Sequence, residues 1–567
     1  MARQHGLTYY AEALEAGRPS LGDDLSTRRH ADIPMGALWT YGDETGPRPA
    51  NIIDMRGAAS VAHLYGQNLV GTESLTAAFG PWAFAPADLK PMMDLAFASG
   101  VNRPVIHTSV HQPVDDKKPG LSLSMFGQYF NRHEAWAELA RPWIDYLSRT
   151  SYLLQQGRAI ADVAYFYGEE APLTGLYSDK PVEDAPKRYG YDFVNAEALT
   201  SQLKAVKGEL VSPSGARYRI LKLGGSSNRM TVATLRRLEQ IAAAGVIIVG
   251  APPKNSPALQ DNPAEFDALV QKLWRPGKNG KPLIQMEKTE EALNANGTKP
   301  DFDYLATSGN ADILFAHRRW AGGDAYFLTN RKKKAENIQA MFRVTGKAPE
   351  IWHADTGTFE PVSYRIENGR TIVPLEMLPQ DAFFVLFRND TDNDHMTIPR
   401  PALRTLAPVT AAWTARFQEG RGAPQTIRMD HLLALDQHND PSVRYYSGEV
   451  VYRTQFDTPP GFKATDRLLL DLGDVADVAT IKVNGQDVGS LWKAPYRVEI
   501  GHAVHPSANS LEVRIATTWA NRLIGDVQAG AKKTTFTTFP TYRPDAPLRP
   551  AGLIGPVVLM GDDRGGP

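Results

Sequence analysis

The feature that most constrains the fold is an alternation of apolar runs and helical stretches over residues 1–157, with side chains capable of acid–base chemistry after the apolar runs. Glu73 closes one such run, and the next run ends at His107, with His111 just beyond it. In a (β/α) barrel, catalytic groups stand at the C-terminal ends of the parallel strands. The alternation therefore predicts an α/β catalytic region and indicates an enzyme that acts on a polar substrate.

The barrel predicted by this alternation is incomplete. A closed barrel needs about eight strands and roughly 250 residues, whereas the pattern changes after residue 157. The segment that begins at His5 already has the pattern of a strand, with Glu12 at its end. We therefore expect a partial (β/α)8 barrel over residues 1–157.

Composition restricts the architecture and the partners. A chain of 567 residues is too long for one hydrophobic core, so several domains are expected. Its 62 Lys and Arg nearly balance 63 Asp and Glu, which argues against nucleic acid or an anionic membrane as the main partner. The chain has no cysteine, which excludes disulfides and thiolate metal sites. We find neither an apolar stretch of transmembrane length nor a signal-peptide pattern, and oligomeric state and localisation stay open.

The pattern changes three more times after residue 157. Short apolar strands alternate with helices over 158–285, which predicts a flavodoxin-like α/β domain. Short strands over 286–395 predict a β-sandwich. The proline-containing residues 396–440 are interpreted as a linker or packing segment, and 441–567 as a further all-β unit. No P-loop or GxGxxG pattern occurs, so we expect no nucleotide or organic cofactor.

The last unit carries the most specific local pattern. Asn484-Gly485 lies between two runs of alternating apolar residues, which predicts a type I′ hairpin. The surrounding motifs continue through Gly489-Ser-Leu-Trp492 and Asn509-Ser-Leu-Glu-Val to Trp519-Ala-Asn-Arg. Together they resemble the jelly-roll, galactose-binding-like sugar-binding domain of glycoside hydrolase family 2 and its relatives.

The first half of the chain carries a second set of motifs: His5-Gly-Leu with Ala11-Glu12-Ala, Met35-Gly36 with Trp39, Gly71-Thr-Glu73-Ser-Leu-Thr, Asn102-Arg103 with His107-Thr and His111-Gln-Pro, and Tyr191-Asp192-Phe-Val. Together these segments resemble the C-terminal half of the catalytic region in glycoside hydrolase family 106, the α-L-rhamnosidases.

The resemblance implies hydrolysis of terminal α-L-rhamnose, with inversion, from a rhamnose-containing oligosaccharide or glycoside. It implies a Ca²⁺ ion near the sugar. Inverting chemistry needs one carboxyl group to protonate the leaving oxygen and a second to activate water, and Glu73 matches the second, the general base. The general acid is expected before Met1, so this chain is expected to be a truncated form that lacks it. A full-length form is expected to be periplasmic or secreted.

The remaining candidate residues are expected to contact sugar or metal, and each also has a structural interpretation. Glu73 could instead be a buried acid paired with Arg103, and Asp192 could cap a helix that begins near Asn195. The substrate-binding candidates are Trp39, Asn102, His107, His111 and Asp192, and Glu12 is a weak metal candidate.

Two other functions remain open at this point. One is a non-catalytic carbohydrate-binding protein derived from such an enzyme. The other is a retaining glycosidase of the β-galactosidase type, which would need two carboxyl groups about 5–5.5 Å apart. The sequence supplies only one strong rim acid for the second alternative.

Overall fold

The computed structural model describes residues 2–13, 22–78, 80–170, 172–277, 280–400, 402–463 and 465–562. Its internal contacts divide the chain into two compact units. The first unit consists of Met1–Ser74, Met93–Val105 and Ser148–Ile398, and the second of Leu75–Met92, Ile106–Leu147 and Pro399–Pro567. No helix within the described ranges is long and apolar enough to cross a membrane.

A four-stranded sheet occupies the first hundred residues, with a helix in each connection. The strands, in spatial order, are β1 (Tyr10–Glu12), β2 (Ile33–Trp39), β3 (Gly71–Thr76) and β4 (Arg103–Ile106). The helices between them are α1 (Asp24–Arg28), α2 (Pro49–Tyr65) and α3 (Pro86–Ala98). β1 and β2 pair in parallel. Neighbouring strands joined through helices are the repeating unit of α/β folds.

Close backbone contact holds α2 against β2. The helix begins with Pro49 in its first turn and ends at Gly66, whose φ of 88 suits a left-handed cap. A Cβ atom on Gly36 would lie 2.8 Å from backbone atoms of Asp54 and Met55. Only glycine permits this approach, so the helix packs directly on the strand.

A second α/β layer follows within the first unit. Its five strands are all parallel, in the spatial order Ile284–Gln285, Ile247–Val249, Ile220–Leu223, Val163–Phe166 and Tyr191–Val194. Helices Val232–Ala243 and Pro263–Trp274 connect its strands. The small antiparallel sheet beside it consists of Lys204–Val206, Glu209–Val211 and Arg217–Tyr218, and two short helices are Leu173–Leu176 and Thr289–Ala295.

Two antiparallel sheets follow and enclose a shared apolar core. The five-stranded sheet has the order Phe302–Ala306, Glu336–Phe342, Arg370–Met377, Tyr364–Glu367 and His395–Met396. The six-stranded sheet has the order Thr358–Pro361, Lys347–His353, Ala382–Asp390, Gly323–Asn330, Ile313–Trp320 and Arg158–Ala159. The final strand of this sheet comes from the start of the preceding α/β segment.

The second unit contains another pair of antiparallel sheets. The four-stranded sheet has the order Leu403–Pro408, Val558–Asp562, Leu468–Asp471 and Arg497–Glu499. The six-stranded sheet has the order Thr426–Met429, Trp413–Phe417, Glu449–Phe456, Asn509–Ala516, Val478–Val483 and Gln486–Leu491. This unit also holds the first part of the helix Arg141–Leu154 and the short helices Pro441–Arg444 and Ala520–Gly525.

Two features of this unit can be compared with the sequence predictions. The hairpin at Asn484-Gly485 is confirmed, since both residues have positive φ and join strands that pair antiparallel. The interpretation of 396–440 as a linker or packing segment is wrong, because three strands of this unit lie within it. In one of them Trp413, Ala415 and Phe417 alternate inward into the core.

Candidate functional site

Three predicted site residues lie on successive strands of the four-stranded sheet, in the first unit. Glu12 is the last residue of β1, Trp39 is the last residue of β2, and Glu73 is the third residue of β3. All three are partly exposed. Because parallel strands end at the same edge of a sheet, Glu12 and Trp39 lie toward the edge where (β/α) enzymes carry their reactive groups.

The strand that carries Glu73 is shaped by its neighbours in the sequence. β3 continues to Thr76, so Glu73 is not the final strand residue that the sequence suggested. Leu75 has a φ of 71, however, so the regular extended path stops after Ser74. A non-glycine residue in this conformation is strained, and such residues concentrate at functional sites.

Close packing of β3 on β2 fixes the position of the strand beside Glu73. A Cβ atom on Gly71 would lie 2.4 Å from Cγ of Met35 and 3.3 Å from Cγ2 of Ile33. Met35 is only 1% exposed. The sheet therefore holds Glu73 through a glycine that cannot gain a side chain without moving a buried neighbour.

Asn102 has a structural environment in this molecule. Its side chain is buried, and its Oδ1 accepts a hydrogen bond from the Val70 amide at 2.8 Å. Its Nδ2 donates to the carbonyl oxygens of Asn68 at 2.9 Å and Leu154 at 3.4 Å. With both amide hydrogens used by the backbone, Asn102 has no donor left for a sugar, and we leave it out of the proposed site.

Asp192 is also held by internal partners. It is 3% exposed on the strand Tyr191–Val194. Its Oδ1 lies 2.8 Å from Nδ1 of His63, and its Oδ2 accepts a hydrogen bond from the Tyr218 hydroxyl at 2.9 Å. Burial, together with the Asp192 charge, raises the pKa of Tyr218 well above its usual value. Asp192 thus joins α2 to the second α/β layer and does not cap a helix.

His107 and His111 belong to the second unit. His107 directly follows β4, and its Nδ1 is buried without a hydrogen-bond partner in the described part of the chain. His111 is exposed. A buried donor or acceptor left unpaired is destabilising, so Nδ1 of His107 is a polar atom that a ligand could satisfy.

Buried acids in the second unit were not recognised in the sequence. Arg549 pairs with Asp88 at 2.7 Å and with Asp477 at 3.4 Å. Burial raises the pKa of Asp477 to about 6; Arg549 opposes the increase and Asp88 adds to it. Burial also raises the pKa of Glu134, whose Oε2 accepts a hydrogen bond from Gln128 at 3.1 Å. These carboxyl groups have internal partners.

A family model described as alpha-L-rhamnosidase, that of glycoside hydrolase family 106, matches residues 1–366 of the 567. The chain belongs to glycoside hydrolase family 106. This family 106 chain also matches, over residues 429–542, a galactose-binding-domain-like model of glycoside hydrolase family 2. Both resemblances predicted from the sequence are confirmed.

Two relatives of this family 106 chain are informative. A solved rhamnosidase structure from Novosphingobium sp. PP1Y is 53% identical over 99% of this chain, with a TM-score of 0.92. A putative beta-glucuronidase from Formosa agariphila is 34% identical over 372 residues, or 65% of this chain. The chain spans 54% of the length of the first relative and 30% of the second.

The comparisons support the coarse architecture, a multidomain protein with α/β layers, several sheets and a galactose-binding-like domain.

The family resemblance implies a calcium ion, which would need several oxygen or nitrogen ligands from side chains close together. In the ranges that the structure describes, no group of three or more His, Asp or Glu could hold a metal ion. Glu12 alone does not make a metal site.

Sequence reasoning missed His63, the partner of Asp192. The two residues are 129 positions apart, and His63 stands in an ordinary helical pattern on α2. No sequence signal marks this pair, because only the packing of α2 on the second α/β layer brings the two side chains together.

Proposed function

We propose that this chain forms part of an inverting α-L-rhamnosidase that releases terminal rhamnose from an oligosaccharide or glycoside. The observation that carries the proposal is the 53% identity, over 99% of the chain, to a solved rhamnosidase. The family model covers the region that contains Glu12, Trp39 and Glu73. The chain therefore retains the strand edge on which this family's activity is proposed to depend.

Glu73 is the proposed general base. A general base must be ionised and must reach a water molecule on the face of the sugar opposite the leaving group. Partial exposure on β3 leaves the Glu73 carboxylate access to water and substrate. The packing of Gly71 on Met35 would keep the carboxylate in place during the reaction.

The four-stranded sheet is proposed to be part of a (β/α)8 barrel, with the general acid on barrel strands outside this sequence. Four strands that lie side by side in chain order, with helices between them, support this proposal. So does the finding that this chain spans only 54% of the solved rhamnosidase. Trp39 is proposed to pack its ring on the C–H groups of rhamnose. Within the second unit taken by itself, His107 and His111 are separately proposed to bind sugar hydroxyls, because Nδ1 of His107 has no hydrogen-bond partner among the described residues.

Calcium dependence belongs to the proposal for the whole protein, because ligands for the ion would have to come partly from other residues. Dialysis against EDTA followed by addition of CaCl₂ tests it. Activity lost on dialysis and restored by calcium, but not by magnesium, would support a calcium site. Activity that survives dialysis would remove calcium from the proposal.

The decisive assay uses an aryl α-L-rhamnoside with two proteins, this chain and the same chain extended by the upstream residues of its gene. In the active protein, Glu73→Gln is expected to lower kcat about 10²–10⁴-fold, the usual contribution of general base catalysis. Glu376→Gln is the matched control, because Glu376 is also a strand glutamate but is exposed on Arg370–Met377. Equal rates for both variants would exclude Glu73 from catalysis.

A second candidate function is a retaining hydrolase of a β-glycoside, suggested by the relative from Formosa agariphila. An aryl β-D-glucuronide and an aryl β-D-galactoside are therefore included in the assay. Proton NMR of the first product identifies its anomer and distinguishes inversion from retention. If no substrate is cleaved by either protein, binding of rhamnose-containing glycans tests the third possibility, a non-catalytic carbohydrate-binding protein.

A further inference from the structure

A cavity of about 60 Å³ lies within the first unit, and its lining does not include Glu12, Trp39 or Glu73. Its lining comes from α2, the end of α3, the second α/β layer and the strand Ile313–Trp320. The polar side chains in the lining are those of Arg56, His63, Ser99, Tyr191, Asp192, His317 and Arg318. No role in the proposed reaction uses this cavity.

Arg56 projects from α2 and has few partners. Its guanidinium lies over the ring of Tyr191, 4.3 Å from the ring centroid, and Nη1 reaches the Tyr191 carbonyl only at 3.5 Å. Its Nε is buried and has no hydrogen-bond partner among the described residues. No carboxylate within those residues forms an ion pair with Arg56. The side chain therefore carries a charge and a donor that the protein leaves unsatisfied.

Arg318 is more deeply buried, with 7% exposure. Its Nε donates to the Gln156 carbonyl at 2.9 Å, and Nη2 donates to the Gly157 carbonyl at 2.8 Å and to Oδ1 of Asn68 at 3.4 Å. All three acceptors are neutral. Burial lowers the pKa of Arg318 to about 10. Across the described chain, this guanidinium also has no carboxylate partner.

The other ionisable groups of the lining are balanced internally. Asp192 is held by His63 and by the Tyr218 hydroxyl. His317 lies between Asp301 and Asp324, each 2.8 Å from one of its ring nitrogens. The two arginines are thus the charges in this cavity that lack a counter-charge.

We propose that the cavity binds a small oxyanion of the phosphate or sulfate class, held by Arg56 and Arg318. Roughly 10–15 Å³ of such internal space is enough for one water molecule, so a cavity of about 60 Å³ has room for a small ion. A guanidinium binds an oxyanion through parallel N–H donors, and the oxyanion supplies a counter-charge that a neutral water molecule does not. The ion would join α2 to the strand Ile313–Trp320. This site does not depend on the proposed glycosidase activity.

The test compares thermal unfolding in chloride with that in inorganic phosphate at constant ionic strength, and phosphate binding is measured by calorimetry. A ligand that binds the folded state raises its unfolding temperature with saturation. We expect such a rise in the wild-type chain and in Arg236→Met, which removes an arginine paired with Glu265 outside the cavity. Arg56→Met is expected to weaken phosphate binding at least tenfold. Arg56→Lys is expected to give intermediate binding, because it keeps the charge but loses the two-pronged donor.

Three results would overturn the proposal. The first is no saturable rise of the unfolding temperature with phosphate in the wild type, and the second is an equal rise in all variants. If Arg56→Met does not fold, the third is a phosphate affinity of Arg56→Lys equal to that of the wild type. Crystals soaked in selenate give a separate check, since its anomalous signal locates the ion. A peak between the two arginines supports the site, and peaks at the surface alone refute it.

Discussion

A buried ion pair between Arg28 and Asp54 offers the sharpest test of how the first unit is held together. Arg28 is fully buried and donates from Nη2 to Asp54, and its Nε donates to the Met35 carbonyl at 2.6 Å. The other oxygen of Asp54 accepts a hydrogen bond from the Ala37 amide at 2.8 Å. Burial raises the pKa of Asp54, and Arg28 opposes that increase. The pair therefore fixes α2 on β2.

The perturbation is Asp54→Asn. Asparagine keeps the size of the side chain and an acceptor for the Ala37 amide, so the main loss is the charge opposite Arg28. Removing one member of a buried pair strands the other charge, which costs about 3–5 kcal/mol. The Nη1 of Arg28 is already buried without a partner in the described chain, so little compensation is available. We expect the free energy of unfolding to fall by about 4 kcal/mol.

The double variant Arg28→Met with Asp54→Leu is the control, because an apolar pair of similar volume often replaces a buried ion pair at little cost. Hydrogen exchange with mass spectrometry follows the peptides of α2 and β2 separately, which avoids treating a multidomain chain as one transition. A loss below about 1 kcal/mol for Asp54→Asn, or a double variant no more protected than the single one, would refute the reasoning.

Three further outcomes are expected. Gly71→Ala forces a Cβ atom against Met35. It should destabilise the sheet by about 1–3 kcal/mol in urea titrations and lower the activity proposed for Glu73. Asn102→Ala leaves the Val70 amide unpaired and should reduce thermal stability by about 1–3 kcal/mol without changing KM. Because the pKa of Asp477 rises from its ordinary 3.8 to about 6, its stabilising effect is complete below pH 3.8 and is lost as the pH rises through 6. Asp477→Asn should flatten that part of the unfolding profile, whereas an unchanged slope would assign it to other groups.

Patterns confined to a few neighbouring residues were predictable from the sequence. The hairpin at Asn484-Gly485 is one example, because the turn requires positive φ at both residues and few pairs other than Asn-Gly supply it. The family was recognisable from short motifs as well. In contrast, the alternation of Trp413, Ala415 and Phe417 spans only five residues, which is too short to identify a strand by its pattern alone.

The roles of buried polar residues were not predictable, because they depend on distant partners. Asn102 bonds to backbone atoms of Val70 and Leu154, which lie far from it in sequence. The pairing of His63 with Asp192 arises only when two layers pack together. A motif shows that a polar residue stands near a strand end, but not whether its hydrogen bonds are free for substrate.

The strand Val558–Asp562 lies inside its sheet, between Leu403–Pro408 and Leu468–Asp471. It pairs with a segment about 150 residues earlier in the chain, and contacts of such sequence separation slow folding. Until that strand arrives, both neighbours expose an open edge able to pair with other chains. Recombinant forms cut before residue 558 should therefore aggregate. For the full domain, slow expression at low temperature should give the higher yield of folded protein.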